Sequence, residues 1–263
     1  MSEFEAVTYR CDKQVAVITL NRPSVRNSLN SQLRLELAQA IKQANTDNDV
    51  RVVIIAGAGK GFCAGADLGE KKPGSDGDGF VTELLRNEYN PIIKGIIYAD
   101  KPFISLVNGA AAGIGAAIAM ACDLMMMADD AFLYSAFGAI SLIPDGGSHK
   151  FLLSALGAKK AYEMIAFSQR LPAAQCLELG MVNTVVAADN LLDEGVQWAH
   201  QLAQQAPLTL KLSKQVLREA ATADIDQVLE REAQLQNIAI RSDDFKEGSK
   251  AFFEKRPAVF KGQ

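Results

Sequence analysis

The chain has 263 residues, 49% hydrophobic and 22% charged, with a formal net charge of −4. That length builds one large domain, or one domain with an appendage, and the acidic balance argues against a nucleic-acid partner, which wants a basic surplus. No run approaches the ~20 apolar residues of a membrane span, and the acidic start Met1-Ser2-Glu3-Phe4-Glu5 lacks the features of a signal peptide, so a cytoplasmic protein is expected.

Val15–Leu20 reads as a buried strand ended by Asn21-Arg22-Pro23. From Asn30 or Ser31 an amphipathic helix begins, with Leu33, Leu37, Ile41 and Ala44 on one face. Val52–Ala56 is a second buried strand. It delivers the chain into the glycine loop Lys60-Gly61-Phe62-Cys63-Ala64-Gly65-Ala66-Asp67-Leu68. The polar stretch from Glu70 to Gly79 has no period and reads either as a lid or as a plain surface connection. A helix around Val81–Tyr98 leads to the strand Phe103–Val107. A second glycine loop, Asn108-Gly109-Ala110-Ala111-Ala112-Gly113-Ile114-Gly115, then opens a small-residue helix through Ala121. Leu124–Ala128 reads as a core strand and Met181–Val186 as a last short one. Beyond Leu191 the pattern is helical, with Ile225, Val228, Leu229, Leu235 and Ile238 forming a stripe behind a cap at Asp224. Alternating strands and helices imply an α/β protein with mostly parallel strands.

Two glycine loops that each follow a β-branched run can bring backbone N–H groups close to a ligand. Two such groups converging on one point stabilise an oxyanion, which suggests enolate chemistry on a carbonyl such as a thioester. Rival readings are weaker. Gly113-Ile114-Gly115 supplies only half of a dinucleotide fingerprint, with Ile118 at the third glycine place, and Gly57–Gly61 lacks the full phosphate-loop spacing. Cys11, Cys63, Cys122 and Cys176 are scattered and read as reduced thiols. His149 and His200 fit no ligand pattern, so no metal is expected.

Asn21-Arg22-Pro23, Arg26–Asn30, Phe62–Leu68, Val107-Asn108-Gly109 with its glycines, Met120–Asp123, Leu177–Asn183 and the tail Phe253–Lys261 together resemble the crotonase, or enoyl-CoA hydratase/isomerase, superfamily. The similarity runs from about Val15 to the C-terminus. It implies a crotonase-like spiral of ββα units over residues 1–190 and a C-terminal helical region over 191–263 that mediates trimers, often paired into hexamers. It also implies an acyl-CoA substrate, with coenzyme A as part of that substrate and no separate cofactor. The oxyanion amides would be those of Ala66 and Ile114. Family members usually carry glycine at the second place, so the Ile114 side chain must point away from the thioester. Arg26, Ala64, Ala66, Asp67 and Leu68 match coenzyme A-contacting positions. Lys261 matches a lysine that approaches the nucleotide phosphate, often across subunits.

The reaction depends on the carboxylates. Family hydratases use two glutamates, which would fall at Ala117 and near Ala136 and Phe137; neither place is acidic here. Between Lys101 and Lys150 the acids are Asp123, which reads as structural, Asp129 and Asp130 in a polar turn, and Asp145. Locally, Pro144-Asp145-Gly146-Gly147 is turn chemistry, and Asp145 could cap the helix that follows. Single-carboxylate enoyl-CoA isomerases of the family carry their acid in a closely similar setting, and that resemblance makes Asp145 the candidate base. Leu142, Ile143 and Phe137 would then exclude water from it. The expected activity is the shift of a 3-enoyl-CoA double bond to the 2-position, or a related ring-CoA isomerisation. The alternatives are a 2-enoyl-CoA hydratase and an acyl-CoA-binding protein without turnover.

Overall fold

The computed structural model describes residues 4–70, 77 and 79–263. Three successive stretches of chain repeat one course: a strand in a large sheet, a short strand in a small sheet, then helix. The first turn of this spiral is β3 (Val52–Gly57), β4 (Gly61–Cys63) and the paired helices α2 (Phe80–Leu84) and α3 (Asn90–Ile97). The second is β5 (Phe103–Val107), β6 (Ala110–Ala112) and α4 (Ile114–Ala121). The third is β7 (Leu124–Ala128), β8 (Phe132–Tyr134) and α5 (Ser148–Ala166). Before them come β1 (Val7–Asp12), β2 (Val15–Leu20) and α1 (Ser31–Thr46). After them come β9 (Arg170–Pro172), α6 (Ala173–Glu178) and β10 (Thr184–Val186). The large sheet runs β1-β2-β3-β5-β7-β10 and is parallel except for the β1–β2 hairpin; the small one runs β4-β6-β8-β9. This is the expected spiral of ββα units.

The central strands are continuous apolar runs because both their faces are covered. On β5, Ser105 donates its hydroxyl to the Ala119 carbonyl of α4 at 3.0 Å. The next residue, Leu106, meets Gly195 of α7 (Leu191–Ala203), where a Cβ would lie 2.5 Å from a Leu106 methyl. Adjacent strand residues point to opposite faces, so α4 and α7 sandwich the sheet. The expected C-terminal region thus opens with a helix that packs as part of the core. The remaining helices are α8 (Pro207–Ala220), α9 (Ile225–Ala239) and α10 (Asp243–Glu254). Asp224 caps α9 in a reciprocal capping box with Gln227. Of the expected stripe on α9, Leu235 is buried, but Ile225, Leu229 and Ile238 are exposed. Lys214 anchors α8 by donating to the Asp123 carboxylate at 2.7 Å and to the carbonyls of Ile96 and Lys101.

Several elements differ from the sequence reading. β1 went unread because its exposed positions blur the pattern; Lys13 and Gln14, at φ 44° and 73°, form the two-residue turn joining it to β2. The small-sheet strands have three residues each, too few to show a period. The expected strand from Met181 begins only at Thr184; just before it, Asn183 donates its amide to the Met125 carbonyl at 2.9 Å and accepts from the Met125 N–H through its side chain at 2.8 Å. Among the described residues no helix is long and apolar enough to cross a membrane.

Candidate active site

The two glycine loops leave the C-terminal ends of β3 and β5 and press against each other. A Cβ at Gly109 would sit 2.5 Å from the Lys60 carbonyl, and one at Gly115 would sit 2.5 Å from the Cys63 carbonyl. At Gly65 it would stand 3.0 Å from the Ala112 carbonyl, and φ there is +95°. Only glycine lets backbones approach this closely. The contact sets Gly65 beside Ala112–Gly113, so the next residues, Ala66 and Ile114, are neighbours across the seam. Leu29 forms a bridge with Ala66: the Leu29 N–H donates to Gly65 at 2.8 Å, and the Leu29 carbonyl accepts from Asp67 at 3.2 Å. The pairing uses the amides on either side of Ala66. Among the described residues, no acceptor meets the N–H of Ala66 or of Ile114, the first residue of α4. Cys63, between the loops, is buried; its thiol donates to the Asn27 carbonyl at 3.2 Å, and burial pushes its pKa up to about 12.

Asp145 lies opposite, on the turn before α5. The residue at the cap of α5 is Gly147, and the Asp145 side chain does not cap the helix. Its main-chain carbonyl instead accepts from the Ser148 amide at 3.0 Å and hydroxyl at 2.7 Å. One carboxylate oxygen, Oδ1, is buried and has no partner among the described residues. Burial raises the pKa of Asp145 to about 6. The wall comes from α4: a Cβ on Gly146 would fall 2.3 Å from Ile114 Cδ1 and 2.9 Å from the Ala117 methyl. The Ile114 side chain therefore turns toward the Asp145 loop, and its amide is left free. Phe137 is buried and reaches Gly113, 3.7 Å from where a Cβ would be. Leu142 and Ile143, expected to shield the base, are instead 55% and 80% exposed in this chain. Both lie in the irregular segment between Ser141 and the Asp145 turn, and the apolar contacts at that turn come from Ile114 and Ala117 against Gly146.

The expected coenzyme A-contacting residues divide in two. Arg26 is exposed beside the first loop, and its carbonyl accepts from Ala64 at 2.9 Å. Leu68 is exposed at the loop's end. The Asp67 carboxylate pairs with Arg22 at 2.8 Å, and that hydrogen bond holds its pKa below the usual carboxylate range. Its side chain thus fastens the loop, and its main chain does too: the amide donates to the Leu29 carbonyl, and the carbonyl accepts from Glu70 at 3.1 Å. Lys261 does not join them within one chain. The Asp244 carboxylate accepts from the Lys261 and Gly262 amides, and Arg51 donates to the Phe260 carbonyl. These bonds hold the tail against Arg51 and Lys101, at the opposite end of β3 and β5 from the glycine loops.

Two residues escaped the sequence reading. The helix from α2 to α3 contains a π-helical turn, Leu85–Tyr89, that directs Tyr89 inward. Arg34, fully buried on α1, donates to Glu88 at 2.7 Å, to Glu70 and Ser31 at 3.0 Å, to the Leu29 carbonyl at 2.6 Å and to the Tyr89 hydroxyl at 3.3 Å. An arginine flanking an apolar helix face gives no local sign that it is buried. The candidate lid falls outside the described residues except for its ends, Glu70, Gly77 and Gly79.

Comparison with known proteins agrees with this fold. The family model described as enoyl-CoA hydratase/isomerase matches residues 10–263. A 1,2-epoxyphenylacetyl-CoA isomerase of Escherichia coli (strain K12) is 36% identical over 98% of this chain and 99% of its own length. A short-chain-enoyl-CoA hydratase of Clostridium acetobutylicum is 32% identical over 97% of each chain. The crystal structure of an enoyl-CoA hydratase from Bacillus anthracis superposes with a TM-score of 0.93, at 30% identity, over 98% of this chain and all of that one.

Proposed function

Because the chain belongs to the enoyl-CoA hydratase/isomerase family, we propose that this enzyme isomerises acyl-CoA thioesters, moving a 3-enoyl double bond into conjugation or making the related change in a ring acyl group. The observation that carries this reading is Asp145: one half-buried carboxylate with a buried, unpartnered oxygen, on a turn whose next residue, Gly146, packs against Ile114 and Ala117. In its ionised form it removes the α-proton. The thioester oxygen then bears negative charge, which the free amides of Ala66 and Ile114 stabilise, the latter aided by the N-terminus of α4. The same carboxyl returns the proton at the γ-carbon. The reaction consumes no water and exchanges no electrons, so it asks the chain for one proton carrier and two donors. Coenzyme A enters as part of the substrate, along Arg26, Ala64, Ala66, Asp67 and Leu68.

Hydration is the second reading, favoured by relatives named as hydratases. It needs a second group to hold and activate water, and Ala117 offers a methyl beside Gly146. Supplying 3-enoyl-CoA and 2-enoyl-CoA separately in water distinguishes the two. The isomerase reading expects double-bond migration at least tenfold faster than water addition; the reverse ratio overturns it.

The chain is also proposed to assemble as a homotrimer or a pair of trimers. Phe252 and Phe253 on α10 are 78% and 82% exposed, and Leu217 on α8 and Ile225 and Leu229 on α9 are exposed as well. An apolar surface of this kind on the outer helices fits a subunit contact. Assembly would also bring Lys261 to a neighbour's nucleotide. A solution mass of three or six chains is the expected result, and a monomer at micromolar concentration overturns it.

A further inference from the structure

Tyr89 is a buried polar group that the proton relay does not use. Its ring is 4% exposed, and the π-helical turn that ends on it is a device concentrated at functional sites. The Arg34 guanidinium carbon lies 5.0 Å from the ring centroid. One guanidinium nitrogen, Nη1, donates both to the Tyr89 oxygen and to the Leu29 carbonyl. Leu29 is the residue bridged to Ala66. One guanidinium nitrogen therefore links the Tyr89 hydroxyl to the residue that pairs with the one carrying the first proposed oxyanion amide.

With its oxygen turned to a cation, the hydroxyl must direct its proton elsewhere. No acceptor for that proton is present among the described residues. Burial lifts the Tyr89 phenol's pKa to about 12, and the nearby Asp145 charge adds to the rise, so it stays a donor at all working pH. Asp145 Oδ1 is also buried and unpartnered. Buried polar atoms are nearly always satisfied. A donor and an acceptor left open at one site are completed by what binds between them.

We propose that the Tyr89 hydroxyl donates a hydrogen bond to an oxygen carried by the acyl group near the carbons that Asp145 works on, so that the enzyme selects oxygen-bearing acyl thioesters over plain hydrocarbon ones. Arg34 is the positioning residue that fixes the hydroxyl's direction. The inference rests on the isomerase reading for its kinetic test and names the substrate class of that same site.

The test compares a straight-chain 3-enoyl-CoA with its isostere in which an ether oxygen replaces the second methylene beyond the double bond. Wild-type enzyme is expected to favour the ether about tenfold in kcat/KM, the worth of one neutral hydrogen bond. Tyr89→Phe should lose roughly that factor on the ether and less than about twofold on the hydrocarbon, with the acid limb of the pH profile unmoved. Equal losses on both substrates, or a shifted limb, would mean that Tyr89 serves Asp145 or the fold and would overturn the proposal. Calorimetric binding of the two saturated thioesters separates this from failure of the isomerase reading. If neither substrate turns over, a wild-type binding preference for the ether that Tyr89→Phe abolishes still upholds the role of Tyr89, and no preference overturns it.

Discussion

The two halves of the site are made of different material. The amide half is backbone: Ala66 and Ile114 are neighbours because carbonyls and glycines touch at Gly65, Gly109 and Gly115. The carboxylate half is one side chain, desolvated by burial, on a turn that packs against Ile114 and Ala117. Changing the first half means moving main chain that also seals the core. Changing the second means exchanging a single group. Activity and stability should therefore be inseparable on the amide side and separable, even opposed, on the carboxylate side.

The sharpest break in this contrast is Asp145→Asn. It removes the proton carrier and keeps the shape, so isomerisation should fall by about 10³-fold or more, with the circular dichroism spectrum unchanged. Activity within tenfold of wild type would remove Asp145 from the chemistry. Next in size is Gly65→Ala, which adds a Cβ at φ +95°, 3.0 Å from the Ala112 carbonyl. Displacing one oxyanion donor should cost on the order of 10²-fold in kcat, together with roughly 1–2 kcal/mol of stability in denaturant unfolding. If activity falls and stability does not, the two are not coupled on this side.

The smallest effect has the opposite sign. Asp145 keeps its proton to about pH 6 when folded but releases it near pH 4 when unfolded. Between those values the folded state binds more protons, so stability falls as pH rises through that window and levels off above it. At pH 7.5 Asp145→Asn should accordingly be more stable than wild type by up to about 3 kcal/mol, a gap that closes below pH 4. For wild type, kcat/KM should rise with pH to a plateau, with its midpoint near 6. A variant less stable than wild type at pH 7.5 would show that the carboxylate is not held at a cost.

What could be read in advance follows the same division. The apolar runs at Val15–Leu20, Val52–Ala56 and Phe103–Val107 and the glycine loops after them carry their structure locally, because continuous burial and close backbone approach restrict residue type. Asp145 was legible only against a family background, since its turn would look the same around a capping residue. The outward course of Leu142 and Ile143 was not legible, because an apolar pair in a loop does not say which way it faces. Tyr89 and Arg34 were hidden for a different reason. A π-helical turn leaves no sequence period, and a buried guanidinium depends on partners at Glu70, Glu88 and Leu29 that come from separate elements.

Cys63 has a consequence for how long such an enzyme lasts. A conjugated enoyl thioester is an electrophile, and thiolates add readily to its β-carbon. The loop that would grip the product's carbonyl thus carries a sulfur within a few residues of the gripping amide. Held as the neutral thiol, donating to Asn27 and lodged against Gly115, that sulfur offers no nucleophile to the molecule released after every turnover. On the proposed isomerase reading, the packing that joins the two loops would also guard the catalyst against alkylation by its own product.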